Sequence, residues 1–345
     1  AQRRGGRGKS ATSMKEDDYI QHMVVTSNHA TVLCFTNVGK VYRLKVYEVP
    51  QASRGAKGRP MVNLLPLDDN ETITAILPVI DAPKKFKERL ADFKAFVKAN
   101  AAQLQSNEVI NSHFAALEAA LAESEDGADD ISDALRVQLK ELGLALSTTD
   151  LDDDIINDFA QQAEAVRKNF YVFMATEYGT IKRVELEQFS NVRSNGLRAI
   201  ELNGDDTLIG VAITDGEQQI MLFSNEGKAI RFAETDVRSM GRSAKGVRGM
   251  RVTIGASQVE DAEDAEVESD DEDATEANFI SRIVSLVVVP ETGEVLCASA
   301  NGYGKRTPVD DFPTKKRGGK GVIAIKTSER NGELVGAVAI DASKE

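Results

Sequence analysis

Four stretches of the chain share one pattern, in which an apolar run leads into a polar turn ending in glycine, and a second run follows. They are CFTNVGKVYRLKV (34–46), FMATEYGTIKRVEL (173–186), LFSNEGKAIRFAE (222–234) and CASANGYGKRTPV (297–309). β-Rich flanks around a glycine that can adopt a positive φ are typical of a β-hairpin. The pattern therefore predicts four hairpins, with turns at Gly39, Gly179, Gly227 and Gly302.

An arginine follows each turn glycine by four residues, at Arg43, Arg183, Arg231 and Arg306. Chance would rarely place arginine at one position in all four repeats. We expect these side chains to project outward from equivalent places and to form an evenly spaced basic belt. A structural interpretation also stays open, in which they are solvated charges that protect strand edges from aggregation.

A second shared element, which joins arginine or lysine to glycine, follows each hairpin. These basic segments are SRGAKGRPM (53–61), VRSNGLRAI (192–200), GRSAKGVRGM (241–250) and KKRGGKGVI (315–323), and QRRGGRGKS (2–10) is a fifth copy. An apolar run such as ITAILPV or IVSLVVV usually closes the unit. One unit is thus about four strands with a period of 48 residues between Arg183 and Arg231, which predicts an all-β, propeller-like array of blades.

Residues 81–169 interrupt the repeat with helical periodicity. Phe86, Leu90, Phe93 and Val97 recur at the spacing of one helix face. Further helices are predicted at Asn107–Ala122, Asp130–Leu146 and Asp150–Lys168, with Ser, Asp or Asn near their starts as caps. This predicts an α-helical insertion between the propeller-like regions 1–80 and 170–345. It is either a tolerated insertion or a platform on which another protein of the same complex docks.

The net charge of −13 conceals an uneven distribution. Residues 81–169 hold 18 acidic and 10 basic residues, and 257–278 hold 11 acidic and no basic ones. The rest of the chain is basic by 6 charges, which favours a polyanionic partner. The acidic run 257–278 is predicted to be disordered, and we hypothesise that it competes with a polyanion for the basic surface.

Several other classes of function find little support. Gly8, Lys9 and Ser10 end like a nucleotide-binding P-loop, but Arg3 stands where its first glycine belongs, and too few residues precede it to form a buried strand. Cys34 and Cys297 are expected in the core, and no spacing indicates a metal site, a disulfide framework, a catalytic set or a cofactor. No apolar run reaches the length of a membrane span, so we expect a cytoplasmic protein. The start at Ala1 is expected to be a cut from a longer chain.

QRRGGRG (Gln2–Gly8) matches the gyrase A box, the signature of the C-terminal domain of the DNA gyrase A protein. RGAKGRPMVNLLPL (54–67), ITAILPV (73–79), GVRGMR (246–251) and NGYGKRT (301–307) also resemble the blades of that family. The resemblance implies a six-bladed β-pinwheel whose blades exchange strands, here with about five visible. It also implies double-stranded DNA as partner, wrapped around a basic rim so that the holoenzyme introduces negative supercoils. By resemblance, the rest of the gyrase A protein and the gyrase B protein complete an A2B2 enzyme, and its nucleophilic tyrosine lies elsewhere.

The box is predicted to be the strongest DNA contact, since its glycines let the backbone approach phosphates and its side chains add charge. It comprises Gln2, Arg3, Arg4, Gly5, Gly6, Arg7, Gly8 and Lys9. Secondary contacts on the hairpins are Arg43, Lys45, Lys182, Arg183, Lys228, Arg231, Lys305 and Arg306. Those on or beside the basic segments are Arg54, Lys57, Arg59, Arg193, Arg198, Arg238, Arg242, Lys245, Arg248, Arg251, Lys315, Lys316, Arg317 and Lys320.

Two alternatives remain. One is the corresponding C-terminal domain of topoisomerase IV, which resembles this repeat but usually lacks an intact box. The other is a propeller-type scaffold for protein interactions, which the overall acidic charge favours and the basic repeat opposes.

Overall fold

The computed structural model of the chain describes residues 23–53, 56, 58–79, 86–104, 108–123, 132–149, 152–167, 169–253, 281–290 and 292–341. These residues divide into two compact units. The first, a β-unit, holds the described residues of Ala1–Asp81, Val172–Val184 and Asn191–Glu345. The second, mainly helical, holds those of Ala82–Tyr171 and Glu185–Ser190.

The strands of the described residues follow the predicted repeat. They are β1 (Thr31–Thr36), β2 (Lys40–Lys45), β3 (Ile73–Val79), β4 (Tyr171–Thr176), β5 (Thr180–Glu185), β6 (Leu197–Arg198), β7 (Leu208–Thr214), β8 (Gln219–Ser224), β9 (Lys228–Ala233), β10 (Val247–Arg248), β11 (Ile283–Val289), β12 (Gly293–Ser299), β13 (Gly304–Pro308), β14 (Val322–Ile323) and β15 (Leu334–Asp341). Short 3-10 turns lie at Val46–Glu48, Met61–Asn63, Leu186–Phe189, Glu234–Asp236 and Val309–Asp311. The four predicted hairpins are confirmed as β1–β2, β4–β5, β8–β9 and β12–β13.

Each sheet is one blade, and the blades exchange strands. The strand orders are β3-β1-β2-β6, β10-β5-β4-β7, β11-β8-β9-β14 and β13-β12-β15. The two-residue strands β6, β10 and β14 come from the basic segments of the following unit, because each lies after the next hairpin in the chain. Three blades therefore have four strands, and the last has three among the described residues. The exchange that the resemblance implied is confirmed.

Glycine is required at the hairpin turns for two reasons. The four turn glycines have φ between 75° and 82°, a region that costs little only for glycine. In addition, Gly227 lies against the next blade, where its carbonyl accepts hydrogen bonds from Ala324 N at 2.8 Å and Ile325 N at 3.1 Å. Gly39 and Gly179 accept equivalent pairs of bonds. A Cβ on Gly227 would lie 2.1 Å from Ile325 O, so the strand exchange leaves no room for a side chain.

The apolar strand that closes each unit builds the interior. β3 packs against β7, β7 against β11, and β11 against β15, so the closing strands join successive blades. Cys34 and Cys297 are buried free thiols at equivalent positions, which confirms their expected place in the core. Burial raises the pKa of the Cys34 thiol to about 11, so the thiol stays protonated and unreactive at neutral pH.

The helical unit contains α1 (Phe86–Leu104), α2 (Glu108–Glu123), α3 (Asp133–Leu146) and α4 (Asp153–Arg167). All four lie where the periodicity predicts helices. α1 packs against α2 and α4, and α3 packs against the same two helices, around a single hydrophobic core. The Ser132 side chain accepts a hydrogen bond from Leu135 N at 3.2 Å and caps α3.

Candidate nucleic-acid interface

The four hairpin arginines occupy one register but different environments. Arg43 is exposed, and Arg306 is exposed with its Nη1 3.4 Å from Glu294 Oε2. Arg183 is buried with its Nη1 3.7 Å from the Oε2 of the buried Glu234. Because the arginines do not all project outward, the expectation of an even belt is wrong.

The following unit explains the two inward arginines. The Arg183 carbonyl accepts a hydrogen bond from Met240 N at 2.9 Å, and the Arg231 carbonyl accepts one from Lys315 N at 2.8 Å. The next unit thus crosses β5 and β9 at this position. Half-buried Arg231 also donates from Nη1 to Val309 O at 2.8 Å and from Nε to Gln219, so it joins two blades. These contacts use the guanidinium groups to hold blades together.

Lys182, which was predicted to contact DNA, does not lie at the surface either. Its side chain is fully buried, and Nζ donates to Ala199 O at 2.8 Å and to Arg242 O at 2.5 Å. Burial, and secondarily the charge of Arg242, lower the pKa of Lys182 from 10.5 to about 8. The prediction of Lys182 as a DNA contact is wrong, because its side chain is buried against the Ala199 and Arg242 carbonyls.

The basic segments, in contrast, present their charges to solvent. Segments 192–200, 241–250 and 315–323 together contain nine basic residues and no acidic one. Each turns at a glycine with positive φ, at Gly196, Gly246 or Gly321, and then forms its two-residue strand on the preceding blade. Exposed on or beside these segments are Arg193, Arg198, Arg238, Lys245, Arg248, Arg251, Lys315, Lys316 and Lys320.

Backbone hydrogen bonds place consecutive basic segments side by side. Glu201 N donates to Ala244 O at 3.4 Å, which joins the end of the first segment to the second. Arg251 N donates to Gly319 O at 2.9 Å, and the half-buried Arg317 donates from Nη1 to Arg248 O at 2.9 Å, which joins the second to the third. The three segments therefore lie side by side across successive blades and form one surface rich in exposed cations, with Glu201 4.0 Å from Arg198 between the first two. We call it the basic face.

The remaining residues predicted to contact DNA are exposed, half-buried or outside the described part of the chain. Arg59 and Lys305 are exposed, while Lys45, Lys228 and Arg242 are half-buried. Lys45 Nζ donates to His29 O at 3.3 Å, and Lys228 Nζ lies 3.0 Å from Glu226 Oε2. Gln2 to Lys9, Arg54, Lys57 and the acidic run 257–278 lie outside the described residues.

Sequence reasoning missed two exposed basic residues just beyond the last basic segment, Lys326 and Arg330. The Arg330 guanidinium lies 5.5 Å from the centre of the Tyr303 ring and donates to Tyr303 Oη at 3.1 Å. Lys326 stands five residues after Gly321, as Arg251 does after Gly246, so the repeat did carry a signal for it. Arg330 falls in no such shared register.

Neither a metal-binding cluster nor a membrane-spanning helix is found in the described part of the chain. Within it, no group of three or more His, Cys, Asp or Glu side chains is arranged to hold a metal ion. Among the described helices, none combines the length and apolar character needed to cross a membrane.

These features define a class of protein: a propeller-like repeat domain whose blades exchange strands and carry basic segments side by side. Its sequence identifies the family more narrowly. The chain belongs to the DNA gyrase C-terminal domain family, whose model is described as a beta-propeller and matches residues 1–27, 30–80, 171–215, 218–256 and 293–341. The matched ranges leave out 81–170, which holds all four helices.

Curated relatives agree with this assignment. The chain is 42% identical to the DNA gyrase A protein of Pseudomonas aeruginosa over 346 residues, which is 100% of this chain and 30% of that protein. It is 40% identical to the DNA gyrase A protein of Haemophilus influenzae, over 99% of this chain and 30% of that protein. The chain thus spans less than a third of the length of these relatives.

Solved structures support the fold alone. The C-terminal domain of DNA topoisomerase IV matches with a TM-score of 0.58 and 20% identity, covering 96% of this chain and 70% of that one. A DNA gyrase A C-terminal domain matches with a TM-score of 0.51 and 19% identity, covering 92% of this chain and 67% of that one.

Proposed function

We propose that this chain is the DNA-wrapping domain of a DNA gyrase A protein, and that it bends duplex DNA around the basic face. The continuity of three basic segments over successive blades is the observation that supports this most. A duplex carries one negative charge per roughly 1.7 Å of its axis, so a continuous row of cations can meet many phosphates. Such contacts carry little base information, and binding is mostly independent of sequence.

Bending requires several blades to act together. Bending 20–30 bp by 40–90° costs on the order of 1–6 kcal/mol, and a full wrap costs more. A single segment of two to four cations cannot offset that cost, whereas adjacent segments in a fixed relation can. The box at Gln2–Lys9 supplies the strongest contact in this proposal, and its glycine-rich backbone suits close approach to phosphates.

The domain serves a larger enzyme in this proposal. Wrapped DNA is presented to the rest of the gyrase A protein and to the gyrase B protein in an A2B2 holoenzyme, which introduces negative supercoils. The domain itself cuts no DNA and uses no cofactor. It works in the cytoplasm, on the nucleoid.

A second candidate is the equivalent domain of topoisomerase IV, which the likeness to its solved C-terminal domain favours. The intact QRRGGRG box and the identity to gyrase A proteins support the first proposal over this one. A supercoiling assay with the whole enzyme separates the two, since only gyrase drives relaxed plasmid to negative supercoiling.

Binding itself is tested by a gel-shift series on linear duplex from low to high salt. The wild-type affinity should fall steeply with salt, and the double variant K315A/K316A should reduce the slope of log K against log salt by about 1.8. The matched control K87A/K98A removes two exposed lysines from α1 and should leave the slope unchanged. No shift at low salt would reject the proposal and favour the protein scaffold.

A further inference from the structure

Lys182 is the one fully buried lysine in the described part of the chain, and both of its acceptors are backbone carbonyls of basic segments. The Ala199 carbonyl directly follows β6, the strand that the second unit places on the first blade. The Arg242 carbonyl belongs to the segment that the third unit places on β5. One ammonium group thus touches the segment leaving its own blade and the segment arriving from the next.

These two contacts connect three blades. Ala199 N donates to Gly39 O of the first blade at 2.8 Å, and Val247 pairs with Ile181 beside Lys182 in the second. Exposed Arg198 precedes Ala199, and half-buried Arg242 itself carries the other acceptor. The Lys182 ammonium therefore lies between two neighbouring parts of the basic face and is hydrogen-bonded to both.

The other blades provide an internal comparison. The residue three positions after the turn glycine is Tyr42, Lys182, Ile230 or Lys305. Lys305 Nζ donates to Ala324 O at 3.3 Å, the carbonyl that corresponds to Ala199 O, but no exchanged strand among the described residues pairs with β13, and Lys305 is exposed. Ile230 is buried, so an apolar side chain is compatible with this site in a complete blade.

We propose that Lys182 is a positioning residue, which holds two consecutive basic segments in register and so shapes the path of bound DNA without touching it. This inference rests on the proposed function. A residue in this role controls how far DNA is bent, whereas a phosphate contact controls how strongly binding depends on salt.

The test compares K182M and K182I with the control K305M in two assays. Nicked circular DNA is resealed by ligase in the presence of each protein, and the linking-number change measures wrapping. We expect K182M and K182I to lose roughly half of the wild-type change, because the junction joins three of the four described blades. The salt slope on a short linear duplex, which needs no bend, should stay at the wild-type value for both.

K305M should behave in the opposite way, since Lys305 is an exposed cation of the same residue type and register. Its salt slope should fall by about 0.9, the value for one phosphate, and its linking-number change should fall by less than that of K182M, since only one contact is lost. A loss of slope in K182M equal to that of K305M would show direct contact and overturn the inference. Unchanged wrapping in K182M would also overturn it.

The same protein samples distinguish a folding defect, a failure of the proposed function and a failure of this inference. Circular dichroism reports whether K182M and K182I fold, and the precedent of Ile230 leads us to expect that they do. Loss of the fold in both would assign Lys182 to fold stability and reject the positioning role. If the wild type itself produced no linking-number change, the proposed function would fail, whereas equal changes in wild type and variants would reject only the inference.

Discussion

Replacing Gly227 with alanine tests whether strand exchange holds the blades together, and Gly302 offers a matched control. Both glycines have nearly the same φ, 79° and 81°, so both substitutions bear the same left-handed backbone cost of roughly 1–2 kcal/mol. They differ in their surroundings. A Cβ on Gly227 would lie 2.1 Å from Ile325 O, whereas one on Gly302 would have nothing within 4 Å.

The extra cost at Gly227 follows from its contacts with the next blade. Relieving the overlap moves Ile325 away and breaks the two bonds that Ala324 N and Ile325 N donate to Gly227 O. Each lost bond costs about 1 kcal/mol, and more if the buried N–H finds no new partner. We therefore expect G227A to weaken the attachment of this segment by roughly 3–5 kcal/mol in total, against about 1–2 kcal/mol of local cost for G302A.

Native-state hydrogen exchange measures this attachment at the residues concerned, independently of the helical unit. In G227A the amides of Ala324 and Ile325 should exchange at least about 100-fold faster than in the wild type, because about 1.4 kcal/mol corresponds to tenfold. G302A should leave both amides within about threefold of the wild type. Equal acceleration in the two variants would show that backbone conformation alone requires glycine, and would refute the exchange argument.

Three further predictions address charge. Deleting 258–277 should tighten polyanion binding at low salt, measured by gel shift. Unchanged affinity would refute the hypothesis that the acidic run competes with a polyanion for the basic surface. Replacing Arg3, Arg4 and Arg7 with alanine should abolish tight wrapping but spare weaker binding, which footprint length and affinity report separately; a full-length footprint would contradict this. The pKa of Lys182 is lowered, so between pH 8 and 10.5 the unfolded chain binds a proton there that the folded chain does not. The free energy of unfolding of the wild type should therefore rise relative to K182M across this range, by up to about 3 kcal/mol in urea titrations, and a constant difference would argue against the shift.

The hairpins and helices were predictable because their signals repeat or are long. Gly179 and Gly227 stand at one place in two similar units, and a positive φ is a local requirement that glycine meets. The stripe of Phe86, Leu90 and Phe93 repeats over several turns of one helix, and all three residues are buried as the spacing predicts.

The exchanged strands were not predictable from local pattern. β6, β10 and β14 have two residues each, too few for any periodicity, and each pairs with a strand of a different unit. Only the family resemblance indicated exchange.

The candidate site was predictable in composition but less so in geometry. The repeat assigns Arg183 and Arg43 to the same register, four residues after the turn glycine, yet it cannot show which of them the next unit covers. The same limit applies to Lys182 and Lys305, one buried and one exposed. The basic segments were recognised, but their hydrogen-bonded order across blades depends on contacts between residues far apart in the chain, such as Arg248 and Arg317.

The central claim is that adjacent basic segments curve a duplex along the basic face. Resealing nicked circular DNA on the wild type and on K315A/K316A/K320A tests it most directly. We predict a clear linking-number change with the wild type and with the α1 control K87A/K98A, and a much smaller one with the segment variant. An equal change with all three proteins would contradict the account, because DNA would then be bent by some other surface.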